Sequence, residues 1–244
     1  MRTVRSKDPR GHRGAAQAAG KLKRPGNGLH ESPMIIRIGI TPIGYCNMRI
    51  FLAGVRCVGK TTVGAKLADL LGYPFFDLDV EIERFFGTSI ERLQNSYLTS
   101  HSFRIAASQA LKHVLSRDDS RHCVIALPPS GLMGGYWKVV NKTQDAVIAV
   151  LKDTPENIFK RMTFYDVDSR PIQKNLTDRE KRDYLRKIRG DITYFSGSFQ
   201  QAHVSVDITG CGPDEAARRV KDRLTLASSK EPSQASETLV GSMH

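Results

Sequence analysis

The sequence has no apolar run long enough to cross a membrane, because the longest one, residues 34–43, is short and is interrupted by Arg37. Its four cysteines are scattered, and they form neither a C-x-x-C pair nor a Cys/His cluster with metal-ligand spacing. These absences exclude a transmembrane protein, a disulfide-rich scaffold and a zinc module. They favour a folded protein of the reducing cytoplasm, in which the cysteines act as small apolar residues.

The composition, 40% hydrophobic and 25% charged over 244 residues, is typical of one globular domain with tails. A chain of this length buries roughly 70% of the surface that its unfolded form exposes, so its core needs no disulfide. The net charge is +12, but eight basic residues against two acidic ones lie before Met34, which accounts for half of the excess. Because half of the excess positive charge lies outside the predicted fold, we expect no nucleic-acid partner for the folded part. We also expect a monomer without a membrane partner.

The beginning of the chain, up to Pro33, is rich in Gly, Ala, Arg and Lys and lacks apolar periodicity. Because such a segment cannot offset its ordering entropy, residues 1–47 are predicted to be a disordered basic extension, with room for one short strand. Three explanations stay open: an organelle transit peptide, a basic arm for an acidic partner, or a true start at Met34 or Met48. The folded domain is predicted at residues 48–227, followed by a disordered Ser-rich tail at 228–244.

Between these tails, strand and helix signals alternate, which is the pattern of an α/β protein with a parallel sheet. Five strands are predicted, at residues 49–53, 73–77, 123–127, 146–151 and 204–208. A helix ends at Gly72, and another carries apolar residues at helical spacing between Phe103 and Leu115. The capping box Thr177-x-x-Glu180 begins a long charged helix that is predicted to end near Ile192.

The most specific motif is Gly54-Val-Arg-Cys-Val-Gly59-Lys60-Thr61, which matches the phosphate-binding loop (P-loop) pattern G-x-x-x-x-G-K-[ST]. It lies between a predicted strand and a predicted helix, as a P-loop requires. The two glycines let backbone N–H groups converge on a phosphate at the positive end of the helix. Lys60 is predicted to reach the outer phosphates, and Thr61 to hold Mg²⁺ through its hydroxyl.

Two carboxylates, Asp77 and Asp79, follow the second predicted strand, at the carboxyl edge of the sheet where ligands bind. Two interpretations stay open for this D-x-D pair. It either caps the next helix, or it divides between the water shell of a metal and an acceptor that faces the phosphates.

Residues 49–87, with the P-loop and the phrase Leu70-Leu-Gly-Tyr-Pro-Phe-Phe-Asp-Leu-Asp79, resemble the beginning of a shikimate kinase. The likeness continues in Phe103-Arg104 and in Arg170-Pro171, which is similar to the R-P of the family's mobile lid. It covers about residues 49–227, and it is weaker after Leu127. It implies a nucleoside-monophosphate-kinase-like three-layer sandwich, with an acceptor-binding helical region near residues 80–105 and a lid near 165–176.

The resemblance implies a role for each matching residue. The catalytic residues would be Lys60, Asp79 and Arg170, and Mg²⁺ would be held by Thr61 and, through water, by Asp77. ATP would be bound by Gly54, Cys57, Val58, Gly59, Lys60, Thr61, Thr62 and Arg170. The acceptor would be bound by Asp79, Arg104, Ser130, Gly131 and Arg189. The two acceptor arginines suit a carboxylate, because a guanidinium presents two parallel donors.

Three departures from the family pattern lie around the acceptor. The family's G-G-G turn is Pro128-Pro129-Ser130 here, and proline has no N–H to donate, so Ser130 or the N–H of Gly131 would have to replace it. The family's F-R-x-x-E acid, which would orient Arg104, is Ala107. The R-x-P motif becomes Arg189-Gly-Asp.

The function that the resemblance implies is ATP-dependent phosphorylation of the 3-hydroxyl of shikimate, in the biosynthesis of chorismate and the aromatic amino acids. Two alternatives stay open. The first is a P-loop kinase for another small hydroxy acid, with Trp137, Tyr136 and the glycines around Gly134 as an altered wall of the acceptor site. The second is a nucleotide-dependent regulatory module without catalysis, whose basic head engages nucleic acid.

Overall fold

The computed structural model describes residues 48–166 and 170–228, apart from the side chains of residues 165, 227 and 228. The predicted extension at 1–47, the tail from residue 229 and three residues of the predicted lid lie outside the described residues. In those two ranges, no helix is long and apolar enough to cross a membrane.

Five parallel strands form the central sheet, in the order β2-β3-β1-β4-β7. They are β1 (Arg49–Ala53), β2 (Phe75–Asp77), β3 (Cys123–Ala126), β4 (Ala146–Lys152) and β7 (Val204–Asp207). A separate antiparallel pair is formed by β5 (Phe164–Tyr165) and β6 (Pro171–Ile172). All five predicted strands are therefore confirmed, and their register brings the carboxyl ends of β1, β2 and β3 to one edge of the sheet.

Within the described residues, eight α-helices cover or flank the sheet. They are α1 (Lys60–Leu71), α2 (Leu78–Phe86), α3 (Ile90–Asn95), α4 (Ser100–Leu115), α5 (Gly134–Val140), α6 (Pro155–Lys160), α7 (Asp178–Phe199) and α8 (Pro213–Ser228). A 3₁₀ turn spans Asp118–Ser120. The connection between successive parallel strands is helical, as a sheet buried on both faces requires.

Each face of the sheet has its own core. On one face, Leu67 of α1 and Val220 of α8 pack against Ile50 and Leu52 of β1. On the other, Leu111 of α4 and Tyr136 of α5 pack with Phe51 of β1. Because side chains alternate along β1, this one strand supplies both cores, and the result is the predicted three-layer α/β sandwich.

Helix α7 begins at the predicted capping box, where the Thr177 hydroxyl and the Glu180 carboxylate exchange hydrogen bonds with the backbone. It ends at Phe199, however, two turns beyond the predicted end. The physical reason is that Ile192, Phe195 and Phe199 continue the apolar stripe of the helix and pack on the first core.

Candidate active site

The P-loop connects β1 to α1 and lies at the carboxyl edge of the sheet. Gly54 has a φ of 143°, and a Cβ there would come within 2.8 Å of the Leu151 carbonyl oxygen, so a side chain at this position is excluded. Gly59, at the N-cap of α1, has a left-handed conformation, and so does Cys57, with a φ of 59°. The predicted strand, loop and helix are all present, and the N-terminus of α1 opens toward the pocket described below.

Lys60 folds back over the loop and donates hydrogen bonds to the carbonyl oxygens of Gly54 (3.0 Å) and Val55 (2.9 Å). Burial lowers the pKa of its ammonium group to about 8, although the charges of Asp79 and Asp77 oppose the shift. A lysine held by two carbonyl oxygens can exchange them for phosphate oxygens without moving its backbone.

Asp77 confirms the first of the two interpretations of the D-x-D pair, the helix cap, and it also contacts the P-loop helix. Its Oδ1 accepts a hydrogen bond from the Asp79 N–H (3.0 Å), which caps α2, and its Oδ2 accepts one from the Thr61 hydroxyl (2.5 Å). The two residues predicted to hold Mg²⁺ are thus in direct contact. Oxygen ligands of this kind suit Mg²⁺, which is usually held by one or two carboxylates together with phosphates and water.

Asp79 lies in the first turn of α2 and faces the pocket. Part of its side chain is open to solvent, but the surrounding protein and the charge of Asp77 raise the pKa of its carboxyl group to about 6, against the opposing charge of Lys60. A carboxylate with this pKa is ionised at neutral pH, and it is a stronger proton acceptor than an ordinary aspartate.

One pocket of about 400 Å³ contains these groups. It is lined by Arg56, Cys57, Gly59, Lys60, Thr61, Thr62, Asp77, Asp79, Ala126, Leu127, Pro129, Arg161 and Thr163. The pocket therefore joins a phosphate-binding loop, a candidate metal site and a candidate base.

A family model described as shikimate kinase matches residues 56–225. The chain belongs to the shikimate kinase family.

Two curated relatives in this family match this chain over most of their own length. A shikimate kinase of Aquifex aeolicus is 28% identical over 154 residues, which are 59% of this chain and 88% of that protein. A shikimate kinase of Enterococcus faecalis is 26% identical over 176 residues, covering 72% of this chain and 97% of that one. The solved structure of a shikimate kinase from Acinetobacter baumannii in complex with shikimate has a TM-score of 0.59 at 22% identity, over 77% of this chain and 97% of that one. That likeness supports the fold.

Two pocket arginines were not predicted as site residues of this shikimate kinase family member. Arg56 occupies a variable position of the P-loop, and its charge acts on Lys60, Asp79 and Asp191. Arg161 follows α6 and forms an ion pair with Asp153, whose carboxylate is 1% exposed. The P-loop pattern does not specify Arg56, and only the fold brings Arg161 back to the loop, so no motif identified either residue.

The structure separates Arg189 from the pocket residues. Arg189 is exposed and forms an ion pair with Glu156 of α6 at 2.8 Å. Asp191 lies two positions further along α7, and the positive charge of Arg56 acts on its carboxyl group. Residues two apart on a helix point to different sides, so only one of this pair can face the P-loop. The predicted acceptor contact of Arg189 is therefore not supported by this geometry.

Arg170 is exposed and lies outside the pocket lining. Its N–H donates to the Asp166 carboxylate (2.9 Å), and its carbonyl oxygen accepts the Asp166 N–H (3.0 Å), beside the β5–β6 pair. Arg170 thus lies directly before β6, within the segment predicted as the lid.

The Pro128-Pro129 turn differs from its predicted use. The N–H of Gly131 donates to the Pro128 carbonyl oxygen (2.8 Å), so it is occupied within the turn rather than directed at an acceptor. A Cβ on Gly131 would lie 2.5 Å from that of Leu127, which explains the glycine. The ring of Pro129 lines the pocket, and the half-buried Ser130 follows it. Of the two replacements expected for the lost N–H, only the Ser130 side chain stays open.

Proposed function

We propose that this chain transfers the γ-phosphoryl group of ATP to the 3-hydroxyl of shikimate, a step in the biosynthesis of the aromatic amino acids. The observation that carries the proposal is the shared pocket, in which Lys60 and Thr61 of the P-loop face Asp79. Membership of the shikimate kinase family supports the choice of acceptor.

The nucleotide side of the site is formed by the P-loop and the N-terminus of α1. The backbone of Gly54, Cys57, Val58 and Gly59, together with Thr61 and Thr62, surrounds the phosphates, and Lys60 exchanges its two carbonyl partners for phosphate oxygens. Phosphate charge then raises the pKa of Lys60 above its value of about 8 in the free protein. In this proposal Arg170, which lies outside the pocket lining in the free protein, moves in with the lid and adds positive charge to the transferring group, as phosphoryl transfer requires.

Thr61 and Asp77 hold Mg²⁺ in this proposal, Thr61 through its hydroxyl and Asp77 through a water molecule. Their 2.5 Å contact supports the pairing, since both oxygens already lie at one point beside the P-loop. Bound Mg²⁺ would neutralise charge on the phosphates. Within residues 48–166 and 170–228, no group of three His, Cys, Asp or Glu side chains could hold a metal by itself, so the phosphates must supply further ligands.

The acceptor side is organised by Asp79 and Arg104. Asp79, ionised at neutral pH because its pKa is about 6, accepts a hydrogen bond from the acceptor hydroxyl and takes its proton as the phosphoryl group is transferred. Arg104 binds the acceptor carboxylate, and Ser130 borders the acceptor beside Pro129. Among the described residues, Arg104 has no ion-pair partner, which leaves its guanidinium group available for a carboxylate ligand.

A second candidate acceptor is another small hydroxy acid. The observation that favours it is the Pro128-Pro129 turn, because Pro129 has no N–H and that of Gly131 is occupied. A turn that has lost these two backbone donors and keeps only the Ser130 side chain would select a different pattern of hydroxyl groups.

The experiment is ADP release by the purified full-length chain with Mg-ATP, using shikimate, a panel of other hydroxy acids and a control without acceptor. Shikimate-dependent release of ADP, with shikimate 3-phosphate identified as the product, is the expected result. Release with only another acid would establish the second candidate. Binding of ATP without acceptor-dependent release would instead favour the regulatory module.

We also propose that the protein is a monomer in the cytoplasm. The free thiols of Cys57, Cys123 and Cys211 support a reducing compartment. A relative in Arabidopsis thaliana, 33% identical over 52% of this chain and 41% of its own length, is named as chloroplastic, and this keeps the transit-peptide explanation of the basic extension open. Size-exclusion chromatography with light scattering would determine the oligomeric state.

A further inference from the structure

Two buried polar atoms stand out in the part of the chain that the structure describes. Arg104 Nε and the Tyr136 hydroxyl oxygen are the buried side-chain nitrogen and oxygen atoms that lack a hydrogen-bond partner there. Tyr136 is completely buried, with an exposed fraction of 0%. An unpaired buried donor or acceptor destabilises a fold, so two of them beside a candidate active site need an explanation.

The two residues lie on adjoining helices that are packed unusually closely. A Cβ on Gly135 would lie 2.7 Å from the Arg104 carbonyl oxygen and 2.8 Å from the Ile105 Cα, so α5 can approach α4 this closely only with glycine there. A Cβ on Gly134 would lie 3.4 Å from Arg104 Nε. Tyr136 is the next residue of α5 after this close approach, and the charge of Arg104 acts on its phenol group.

In the described part of the chain, no carboxylate forms an ion pair with Arg104 to orient it. Ala107, one turn further along α4, is completely buried in the same core as Tyr136 and has no polar atom in its side chain. In place of a carboxylate, the neutral phenol group of Tyr136 is available to orient Arg104. The charges of Arg104 and Asp79 both act on this phenol group. Burial raises the pKa of the Tyr136 phenol well above its usual value, so the group stays protonated and cannot act as a base.

We propose that Tyr136 is a positioning residue for Arg104: when the guanidinium group binds the acceptor carboxylate, Arg104 Nε–H donates a hydrogen bond to the Tyr136 hydroxyl oxygen. One contact then satisfies both unpaired atoms, since Nε–H is a donor and the phenol oxygen an acceptor. The phenol hydrogen is left to turn toward the negative charge of Asp79. This inference rests on the proposed function, because it assumes an acidic acceptor.

The test is a double-mutant cycle in the full-length chain, with Tyr136→Phe, Arg104→Lys and both together. Tyr136→Phe should raise the KM for shikimate about tenfold, the effect of losing one hydrogen bond to a charged group, and leave the KM for ATP unchanged. Its melting temperature should not fall, because the hydroxyl has no partner among the described residues of the free protein. Lysine has no Nε–H beside the phenol, so the double variant should be no worse than Arg104→Lys.

The matched control is Tyr73→Phe, which removes a phenol hydroxyl at the opposite edge of the sheet, where the Tyr73 ring lies 5.2 Å from that of His122. An unchanged KM for shikimate in Tyr136→Phe, or additive effects in the cycle, would overturn the inference. So would a lower melting temperature with equal rises in both KM values, which indicates a merely structural role.

Failure of the proposed function gives a different result. If the unmodified chain phosphorylates only another hydroxy acid, shikimate is the wrong acceptor, and the same cycle with that acid decides the role of Tyr136. If no acid causes ADP release, shikimate binding to the ADP-bound protein is measured by calorimetry across the cycle. Absence of binding to the unmodified chain would overturn the function and the inference together.

Discussion

The Thr61 hydroxyl donates a 2.5 Å hydrogen bond to the Asp77 carboxylate, and this contact joins the P-loop helix to the end of β2. Each residue also has a second task in the fold. Thr61 belongs to the first turn of α1, and Asp77 caps α2. The candidate metal site is therefore built from residues that the fold already holds in place, and its position depends on the pairing of β2 with β3 and of β3 with β1.

We expect Thr61→Val to raise the Mg²⁺ concentration that gives half-maximal activity, and Thr61→Ser to leave it nearly unchanged. Valine has a similar shape but lacks the hydroxyl, whereas serine keeps it. The measurement is ADP release as a function of free Mg²⁺ at fixed ATP. An equal Mg²⁺ requirement for the two variants would contradict the role of the hydroxyl.

Lys60→Ala should lower kcat by about 100-fold or more, because it removes a fixed positive charge from the transferring phosphates. The control is Lys66→Ala in the same helix, whose ammonium group pairs with Asp214 on the surface at 3.2 Å and faces no pocket residue. Initial rates of ADP release should fall only for Lys60→Ala. Retained activity in that variant would remove the P-loop from the mechanism.

The activity should have a bell-shaped dependence on pH. Asp79 must be ionised, so kcat/KM for ATP should fall as the pH drops through about 6, and Lys60 must be protonated, so it should fall again above about 8. Bound phosphate raises the pKa of Lys60, so the alkaline limb should lie at higher pH in kcat than in kcat/KM. Asp79→Asn should abolish the acid limb in its residual activity, and an acid limb that persists there would assign it to another group.

Gly135→Ala should destabilise the protein by about 1–3 kcal/mol, because the added methyl group would overlap the α4 backbone at Arg104 and Ile105. Gly190→Ala in α7 is the matched control. A Cβ there meets nothing within 4 Å, and alanine is the better helix former, so this variant should be neutral or more stable by about 1 kcal/mol. Urea unfolding of both variants measures the difference, and equal stabilities would contradict the close packing of α5 on α4.

Arg56→Ala should impair catalysis more than Arg189→Ala. Arg56 lines the pocket and its charge acts on Asp79, whereas Arg189 pairs with Glu156 on the surface. The loss of a charge beside the transferring group should lower kcat/KM about tenfold or more, and the loss of an exposed ion pair should change it little. Steady-state kinetics with both substrates varied would distinguish the variants, and a larger effect at Arg189 would restore the sequence prediction for that residue.

The sequence identified the nucleotide side of the site because that side is nearly local. Gly54 to Thr61 is one continuous loop, and Asp77 and Asp79 follow the next strand. Strand periodicity and the capping box at Thr177 likewise depend on neighbours in the chain, so all five strands and the start of α7 were predicted.

The acceptor side depends on contacts between distant segments, and there the sequence was less informative. Arg189 was assigned by its place in a family motif, but on α7 it pairs with Glu156 at the surface, while the charge of Arg56 acts on Asp191. Arg161 lies about 100 residues after the P-loop, and only the parallel pairing of β4 with β1 brings it into the pocket.

The sequence by itself determined the α/β fold, the phosphate-binding loop and the two carboxylates, because short-range spacing and backbone preference specify them. The tertiary structure decided which groups lie together across elements: Thr61 with Asp77, Arg161 with the P-loop, and Gly135 of α5 with the α4 backbone at Arg104. Such pairs depend on how helices pack and which way they are rotated, and a one-dimensional pattern does not record either property.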